Sequence, residues 1–248
     1  MTQHKMFAGT SGLVLPVPQS LYPPEFQGKS RLTYYASLFN SLEVNSSFYK
    51  TPQASTVAKW SESVPENFQF TFKLSKAVTH AKSLDFNAAD IDRFIDVINC
   101  IGNKKGCLLI QLPPALKIDY LHKLQDLLEC LQNADPLNTW RRAIEFRNVA
   151  WYKKSVYNLL EAYNVSLVLH DLPASATPTD EVPNAVKYLR FHGPGGTYRG
   201  SYENRFLADH AAKINDWLTE GKEVYFYFNN TMGDALVNLQ TLIRYVSL

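Results

Sequence analysis

The constraint that most narrows the fold is a rhythm. Eight short runs of strand-like residues recur along the chain, and helical periodicity fills most of the gaps between them. The strand-like runs are Phe7–Gly12 (ending in a turn), Leu42–Asn45, Gln69–Lys73, Cys107–Gln111, Ala143–Arg147, Ser166–Asp171, Val186–His192 and Glu223–Asn229. The helical patterns cover 29–39, Ala54–Val64, Ala88–Ile101, Asp119–Gln132, the residues after Trp151 to Tyr163, Glu203–Thr219, and a last stretch holding Ala235, Leu239, Leu242 and Ile243. Ser46–Tyr49 and the segment with Thr79–His80 read as loops. Leu172–Asn184, with Pro173, Pro178 and Pro183, reads as irregular, because proline breaks the helical hydrogen-bond ladder. Strands alternating with helices predict α/β architecture with a parallel sheet, and eight repeats predict a TIM-type (β/α)₈ barrel. A chain of 248 residues fits such a barrel as one domain over 1–248.

The strands carry a second pattern. In Ala143-Ile144-Glu145-Phe146-Arg147, Ile144 and Phe146 share one face while Glu145 and Arg147 share the other. Strands of a parallel sheet are usually apolar on both faces, so this alternation calls for an explanation. It recurs elsewhere: Leu42 and Val44 oppose Glu43 and Asn45, Phe70 and Phe72 oppose Thr71 and Lys73, and Leu189 and Phe191 oppose Tyr188, Arg190 and His192. Gln111, Asp171 and Asn229 also close their strands. If the apolar parity faces the helices, the polar parity faces the barrel axis. Its strand-end members then converge on the C-terminal mouth, where barrels of this type carry their sites.

The inward charges balance, with Glu43, Glu145 and Asp171 against Lys73, Arg147 and Arg190. They could form a self-neutralising plug. Burying ions costs several kcal/mol each before pairing, and apolar replacements are often as stable, so a ligand pocket is the preferred expectation.

At this point the motifs resemble a known family. Gly9-Thr10-Ser11-Gly12, Glu43 through Tyr49, Thr79-His80, Gln111-Leu112-Pro113-Pro114, Glu145-Phe146-Arg147 with Trp151, Tyr188 through Gly193, and Tyr227-Phe228-Asn229-Asn230 with Gly233 and Ala235 resemble the DUF72, or YecE-like, family over nearly the whole chain. The resemblance implies a TIM-type barrel and no established reaction. Members usually begin an aromatic-rich segment with Trp after the first motif, where this chain has Leu13-Val14-Leu15-Pro16. They commonly have His after Glu-Phe-Arg, where this chain has Asn148.

Anion binding is the chemistry best supported by the residues themselves. Arg147 and Arg190 are read as a clamp, with Lys73 adding charge at the same mouth. Gly193, Gly195 and Gly196 make the loop after strand seven, a place where many such barrels hold phosphate on backbone N–H groups. Asn230 and Thr231 would add donors before the last helix. For acid–base chemistry the candidates are Glu145 or Glu43, with His192, Lys73 and Asp171 as proton or electrophilic partners. Asn45, Gln111, Asn229 and His80 are read as orienting groups. Tyr49, Trp151, Tyr198 and Tyr202 are read as mouth aromatics able to stack on a ligand. The expected protein is thus an enzyme, a hydrolase, isomerase or lyase, acting on a small anionic or phosphorylated, sugar-like substrate.

Two alternatives stand beside it. One is a metal-dependent enzyme of sugar-isomerase or phosphodiesterase type, with ligands drawn from Glu43, Glu145, Asp171, His80 and His192. No compact metal motif supports it, Lys73 and Arg147 would repel a divalent ion, and no cofactor is expected. The other is a non-catalytic ligand sensor. Nucleophilic catalysis lacks the Gly-x-Ser-x-Gly elbow.

Composition bounds the partners. A net charge of +2 argues against an extended nucleic-acid face. No apolar run reaches the roughly 18 residues of a membrane helix, and Met1–Met6 lacks the apolar stretch of a signal peptide. Cys100, Cys107 and Cys130 lack metal-ligand spacing and are expected to be reduced and buried, consistent with a cytoplasmic setting.

Overall fold

The computed structural model describes residues 5–178 and 186–246. Eight parallel strands form one sheet: β1 (Met6–Thr10), β2 (Ser41–Val44), β3 (Gln69–Lys73), β4 (Lys105–Gln111), β5 (Arg141–Glu145), β6 (Val165–His170), β7 (Val186–Phe191) and β8 (Glu223–Phe228). Their spatial order is β1-β8-β7-β6-β5-β4-β3-β2. The ring returns from β2 to β1 through a bridge between Ser11 and Glu43 and a hydrogen bond from Gly12 N to Glu43 O of 2.8 Å. This is the nearly closed TIM-type barrel that the rhythm predicts.

The helices are α1 (Arg31–Leu38), α2 (Ser46–Tyr49), α3 (Ala54–Glu62), α4 (Lys76–Thr79), α5 (Ala88–Asn99), α6 (Leu121–Ala134), α7 (Lys154–Ala162), α8 (Asn204–Thr219) and α9 (Ala235–Val246). The segments at Ser46–Tyr49 and Thr79, read as loops, each wind into one helical turn. Capping explains α4, whose first turn is held by the Ser75 hydroxyl accepting from Ala77 N. Between β6 and β7 the described residues 171–178 hold no helix or strand, as the prolines predict. Pro183 and the rest of that stretch lie outside the described residues.

The parity argument is realised in two apolar layers. Leu42, Val44, Phe70, Phe72, Ile110, Ile144, Phe146, Leu189, Phe191, Phe226 and Phe228 join the helices in the outer core. Phe7, Cys107, Leu109, Ala143, Val168, Tyr188, Tyr225 and Tyr227 fill the barrel interior. The interior tyrosines need partners for their hydroxyls, and Tyr227 finds Ser41 Oγ at 2.6 Å and Thr71 Oγ1 at 2.8 Å.

The β1–β2 seam is stitched by side chains. Asn40 accepts from Ala8 N at 2.8 Å and donates to Met6 O at 2.8 Å. The Tyr35 hydroxyl accepts from Thr10 N at 2.8 Å and donates to Ser41 O at 3.0 Å. Backbone groups that a full ladder would pair are thereby satisfied. Gly9 is required here, because a Cβ at that position would lie 2.0 Å from Ser41 O.

One cysteine departs from expectation. Cys107 is buried and Cys130 is partly so, but Cys100 is exposed, because it follows the last turn of α5 on the surface.

Candidate functional site

At the C-terminal mouth a sealed ionic layer lies beneath an open cavity. In the layer, Arg190 is 1% exposed and Glu43 and Glu145 are fully buried. Arg190 donates from Nη2 and Nε to the two oxygens of Glu43 at 2.7 and 2.9 Å, and from Nη1 to Glu145 Oε2 at 2.6 Å. Tyr188 OH donates to Glu43 Oε2 at 2.5 Å, and Arg147 Nε donates to Glu145 Oε1. Every carboxylate oxygen therefore has a charge-assisted partner. Burial would raise both carboxyls, but the facing arginines outweigh it. Arg190 holds Glu43 below the ordinary carboxylate range, and Arg190 and Arg147 hold Glu145 well below it.

His192 sits beside this layer with a fixed tautomer. Its Nε2 faces Arg147 Nη2 at 3.0 Å and Arg190 Nη1 at 3.3 Å. Guanidinium groups only donate, so Nε2 accepts and the proton resides on Nδ1, which faces Asp171 Oδ1 at 3.3 Å. Burial, reinforced by Arg190 and Arg147 against Glu145 and Asp171, pushes the imidazole below its ordinary value. Asp171 also accepts from His192 N at 2.8 Å and from the Tyr202 hydroxyl. Those bonds outweigh burial and hold its carboxyl down.

Above the layer opens a cavity of about 290 Å³ lined by Asn45, Phe48, Tyr49, Lys73, His80, Gln111, Arg147, Arg190, Tyr198 and Asn229. Eight of these, all but Phe48 and Tyr49, are predicted binding or catalytic residues, drawn from six different strands and the loops that follow them, and Tyr49 is a predicted mouth aromatic. Lys73 lies on the wall, with Nζ 2.9 Å from Gln111 Oε1 and 4.1 Å from the centre of the Phe48 ring. Gln111 is oriented by its own amide, which donates to Leu112 O at 2.8 Å. Burial and the neighbouring Arg190 push the Lys73 amine down to about 8, against the pull of Glu145 and Glu43. Tyr198 OH accepts from Arg147 Nη1 at 3.2 Å. The carbonyl oxygen of the Asn45 side chain is buried and, among the described residues, has no hydrogen-bond partner. His80 is exposed at the rim, with Nδ1 3.0 Å from Thr79 Oγ1.

Several predicted residues take other places. Glu43, Glu145 and His192 do not line the cavity. They form its support, because their polar atoms are saturated by arginine, tyrosine and Asp171. The predicted arginine clamp is partly spent in the same way: each nitrogen of Arg190 is bonded within the layer. Asp171 does not line it either. Strand β6 ends at His170, whose inward parity puts its ring against Phe146 O at 2.9 Å, and Asp171 turns behind His192. Two N–H groups of the glycine loop are spent within the protein. Gly196 N is spent on Gly193 O at 2.7 Å, and Gly193 N donates to Tyr202 OH at 2.6 Å. Neither Gly195 nor Gly196 reaches the cavity; the loop instead presents Tyr198. Asn230 is fully buried and ties this loop to α9, donating to Gly200 O at 2.9 Å and Asn238 Oδ1 at 3.0 Å. Trp151 is core, stacked on Phe146 with centroids 5.1 Å apart, and Tyr202 is buried.

Sequence reasoning passed over three contributors. Tyr188, Phe48 and His170 had inward parity or motif membership as signals, but their contacts depend on neighbours distant in sequence. Among the described residues, no group of three or more His, Cys, Asp or Glu side chains is placed to hold a metal ion.

The family model for the "Protein of unknown function DUF72" matches residues 7–248. The chain belongs to the DUF72 family. It is 25% identical to the UPF0759 protein YunF of Bacillus subtilis (strain 168) over 268 residues, covering 91% of this chain and 89% of YunF. It is 26% identical to the UPF0759 protein YecE of Escherichia coli (strain K12) over 120 residues, covering 48% of this chain and 44% of YecE. A DUF72 family protein from Enterococcus faecalis V583 superposes with a TM-score of 0.79 at 24% identity over 100% of both chains. Another from Thermotoga maritima MSB8 gives 0.70 at 22% identity over 99% of this chain and 100% of that one. At these identities the solved structures speak to the fold alone. No helix of the described DUF72 chain is long and apolar enough to cross a membrane.

Proposed function

We propose that this protein is an enzyme that binds a small anionic metabolite, phosphorylated or carboxylated, in the mouth cavity, with Lys73 as its proton-transferring group. One observation carries the reading. The cavity is lined by three cationic side chains, Lys73, Arg147 and Arg190, and among the described residues by no carboxylate. The two buried glutamates neutralise the arginines from below, so the layer is affordable without a ligand. Lys73 is the exception: among the described residues its ammonium has one neutral amide acceptor and no ion-pair partner. It therefore keeps unused N–H groups directed at a guest, and Asn45, Asn229 and Tyr198 supply orienting contacts.

An amine that titrates at about 8 is well matched to exchanging a proton near neutral pH. A cavity of about 290 Å³ suits a small metabolite better than a polymer.

Thermal-shift screening with inorganic phosphate, sulfate and phosphorylated metabolites tests the reading. A ligand at a hundred times its Kd stabilises by about 2.7 kcal/mol, which for a chain of this size raises Tm by roughly 5–10 °C. The rise should be lost in Lys73→Met. Failure of every anion to raise Tm sinks the proposal, and a metabolite that binds but is never turned over makes the protein a sensor instead.

A further inference from the structure

The chemistry of Lys73 reaches beyond proton transfer. A lysine whose task is to attract an anion as a point charge is best kept charged, and a nearby carboxylate is the usual means. At this mouth the carboxylates are committed elsewhere: Glu43 and Glu145 are saturated by Arg190, Arg147 and Tyr188. The Lys73 amine instead shares a confined space with two guanidinium groups. Gln111, itself anchored, holds Nζ at 2.9 Å from its carbonyl oxygen, and the face of Phe48 covers one side at 4.1 Å. The nitrogen is thereby aimed and partly shielded from water, and that burial, with Arg190 beside it, outweighs the pull of Glu145 and Glu43 and favours loss of its proton. A fixed, partly desolvated amine that gives up its proton readily beside an anion-binding floor is the arrangement of a nucleophile.

We propose that Lys73 is a Schiff-base nucleophile, whose Nζ condenses with the aldehyde or ketone carbonyl of a small metabolite that also bears a phosphate or carboxylate. This rests on the anionic-ligand reading above and specifies its substrate class. The Nζ lone pair forms a bond to the carbonyl carbon while the π electrons move to oxygen. A proton passes from nitrogen to that oxygen, giving a carbinolamine. Its hydroxyl then leaves with a second proton as water, and the nitrogen lone pair closes the C=N bond. Protonated, the imine draws electrons from the adjacent carbon and labilises a C–H or C–C bond there.

The wall holds groups suited to each stage. Asn45 Oδ1, buried and without a partner among the described residues, can accept from the carbinolamine hydroxyl. His80 at the rim has Nδ1 occupied by Thr79, which leaves Nε2 for proton exchange. The anionic end of the substrate meets Arg147 and the neutral donors Asn229 and Tyr198. An imine formed and broken in place needs no oxidant, reductant or metal.

Reductive trapping decides the matter. The full-length protein is incubated at pH 7 with glyoxylate, pyruvate or dihydroxyacetone phosphate in the presence of cyanoborohydride, then digested and mapped by mass spectrometry. A trapped imine adds the mass of the carbonyl compound less one oxygen atom. Lys73, titrating at about 8, carries roughly a hundredfold more unprotonated amine at pH 7 than an ordinary lysine. Labelling at Lys73 by at least one probe should therefore outrun that at exposed Lys29 and Lys117 by about tenfold or more. Excess inorganic phosphate should suppress it, and Lys73→Arg, checked for folding by its thermal transition, should abolish the preferential site. If Lys73 is labelled no faster than the exposed lysines by any of the three probes while phosphate still raises Tm, the imine is refuted and the anion site stands. If none of the screened anions raises Tm, the anion reading falls and the imine reading that rests on it falls too. The comparison among lysines is made within the wild-type chain, so the test survives a variant that fails to fold.

Discussion

Replacing Arg190 with leucine is the sharpest test of the ionic layer. The side chain is 1% exposed and makes three bonds of 2.6–2.9 Å to two carboxylates that are fully buried. Arg190→Leu leaves Glu145 with Arg147 and leaves Glu43 with the Tyr188 hydroxyl as its remaining strong donor. Removing one partner of a buried ion pair costs about 3–5 kcal/mol, and here one guanidinium serves two acids. Against a total stability of about 5–15 kcal/mol, that is a large fraction, and it corresponds to a Tm fall of roughly 6–20 °C.

The pH dependence carries the sign. In the wild-type chain Glu43 and Glu145 have lowered folded pKa values. Their contribution is complete above the unfolded value of about 4.3 and disappears as pH falls through the folded values. In the variant, desolvation governs Glu43 and raises its folded pKa above the unfolded one. The acid is then tolerated when protonated and becomes costly as pH rises. Urea midpoints for both proteins at pH 5 and pH 8 should show a larger deficit at pH 8. Adding Glu43→Gln to Arg190→Leu should recover part of the loss and flatten the pH dependence. A single-variant deficit under about 1 kcal/mol, or one equal at the two pH values, would refute the account of this layer.

Three other substitutions probe the seam and the cavity wall. Tyr35→Phe removes the hydroxyl between Thr10 N and Ser41 O; leaving these buried groups unpaired should cost about 1–3 kcal/mol in urea unfolding. Gly9→Ala would put a methyl 2.0 Å from Ser41 O, so the seam must open, and calorimetry should show a loss of about 3 kcal/mol or more. Lys73 has a folded pKa of about 8, below its unfolded value. The unfolded chain therefore holds the extra proton between about pH 8 and 10, and wild-type stability rises with pH across that window. Lys73→Met should be more stable than wild type at pH 7 by at most about 3 kcal/mol, an advantage that solvent screening reduces and that shrinks toward pH 10 in chemical denaturation.

Much of the barrel was legible because strand parity is a local property. Ile144 against Glu145, or Phe191 against Arg190, announces which side meets helices and which side meets the axis. Strand ends then convert into a shared mouth without knowledge of any contact. The reading failed where a single residue of register matters. Asp171 stands one position past the last inward residue of β6, His170, and that step carries it from the cavity to a place behind His192. It failed also where a side chain's partner is remote in sequence or lies in the backbone. Tyr35 reads as one more aromatic on the apolar face of α1, and nothing local says that its hydroxyl completes a sheet. Gly193 and Gly196 offer the freedom a phosphate loop requires, but the turn uses their positive φ to carry Tyr198 toward Arg147. The charge count permitted either a plug or a pocket, and the folded chain contains a sealed layer with a vessel above it.

The side-chain stitching between the first two strands has a mechanical consequence. Elsewhere the ring's girth follows from peptide ladders, broken once by a register shift between β3 and β4, but at this join a phenol and a carboxamide act as spacers of fixed length. Glu43 lies on the strand they position, directly beside the Ser11 bridge. The gauge of the whole cylinder, and with it the distance at which that acid meets Arg190 across the bore, is thus set by two residues on the outside of the barrel wall.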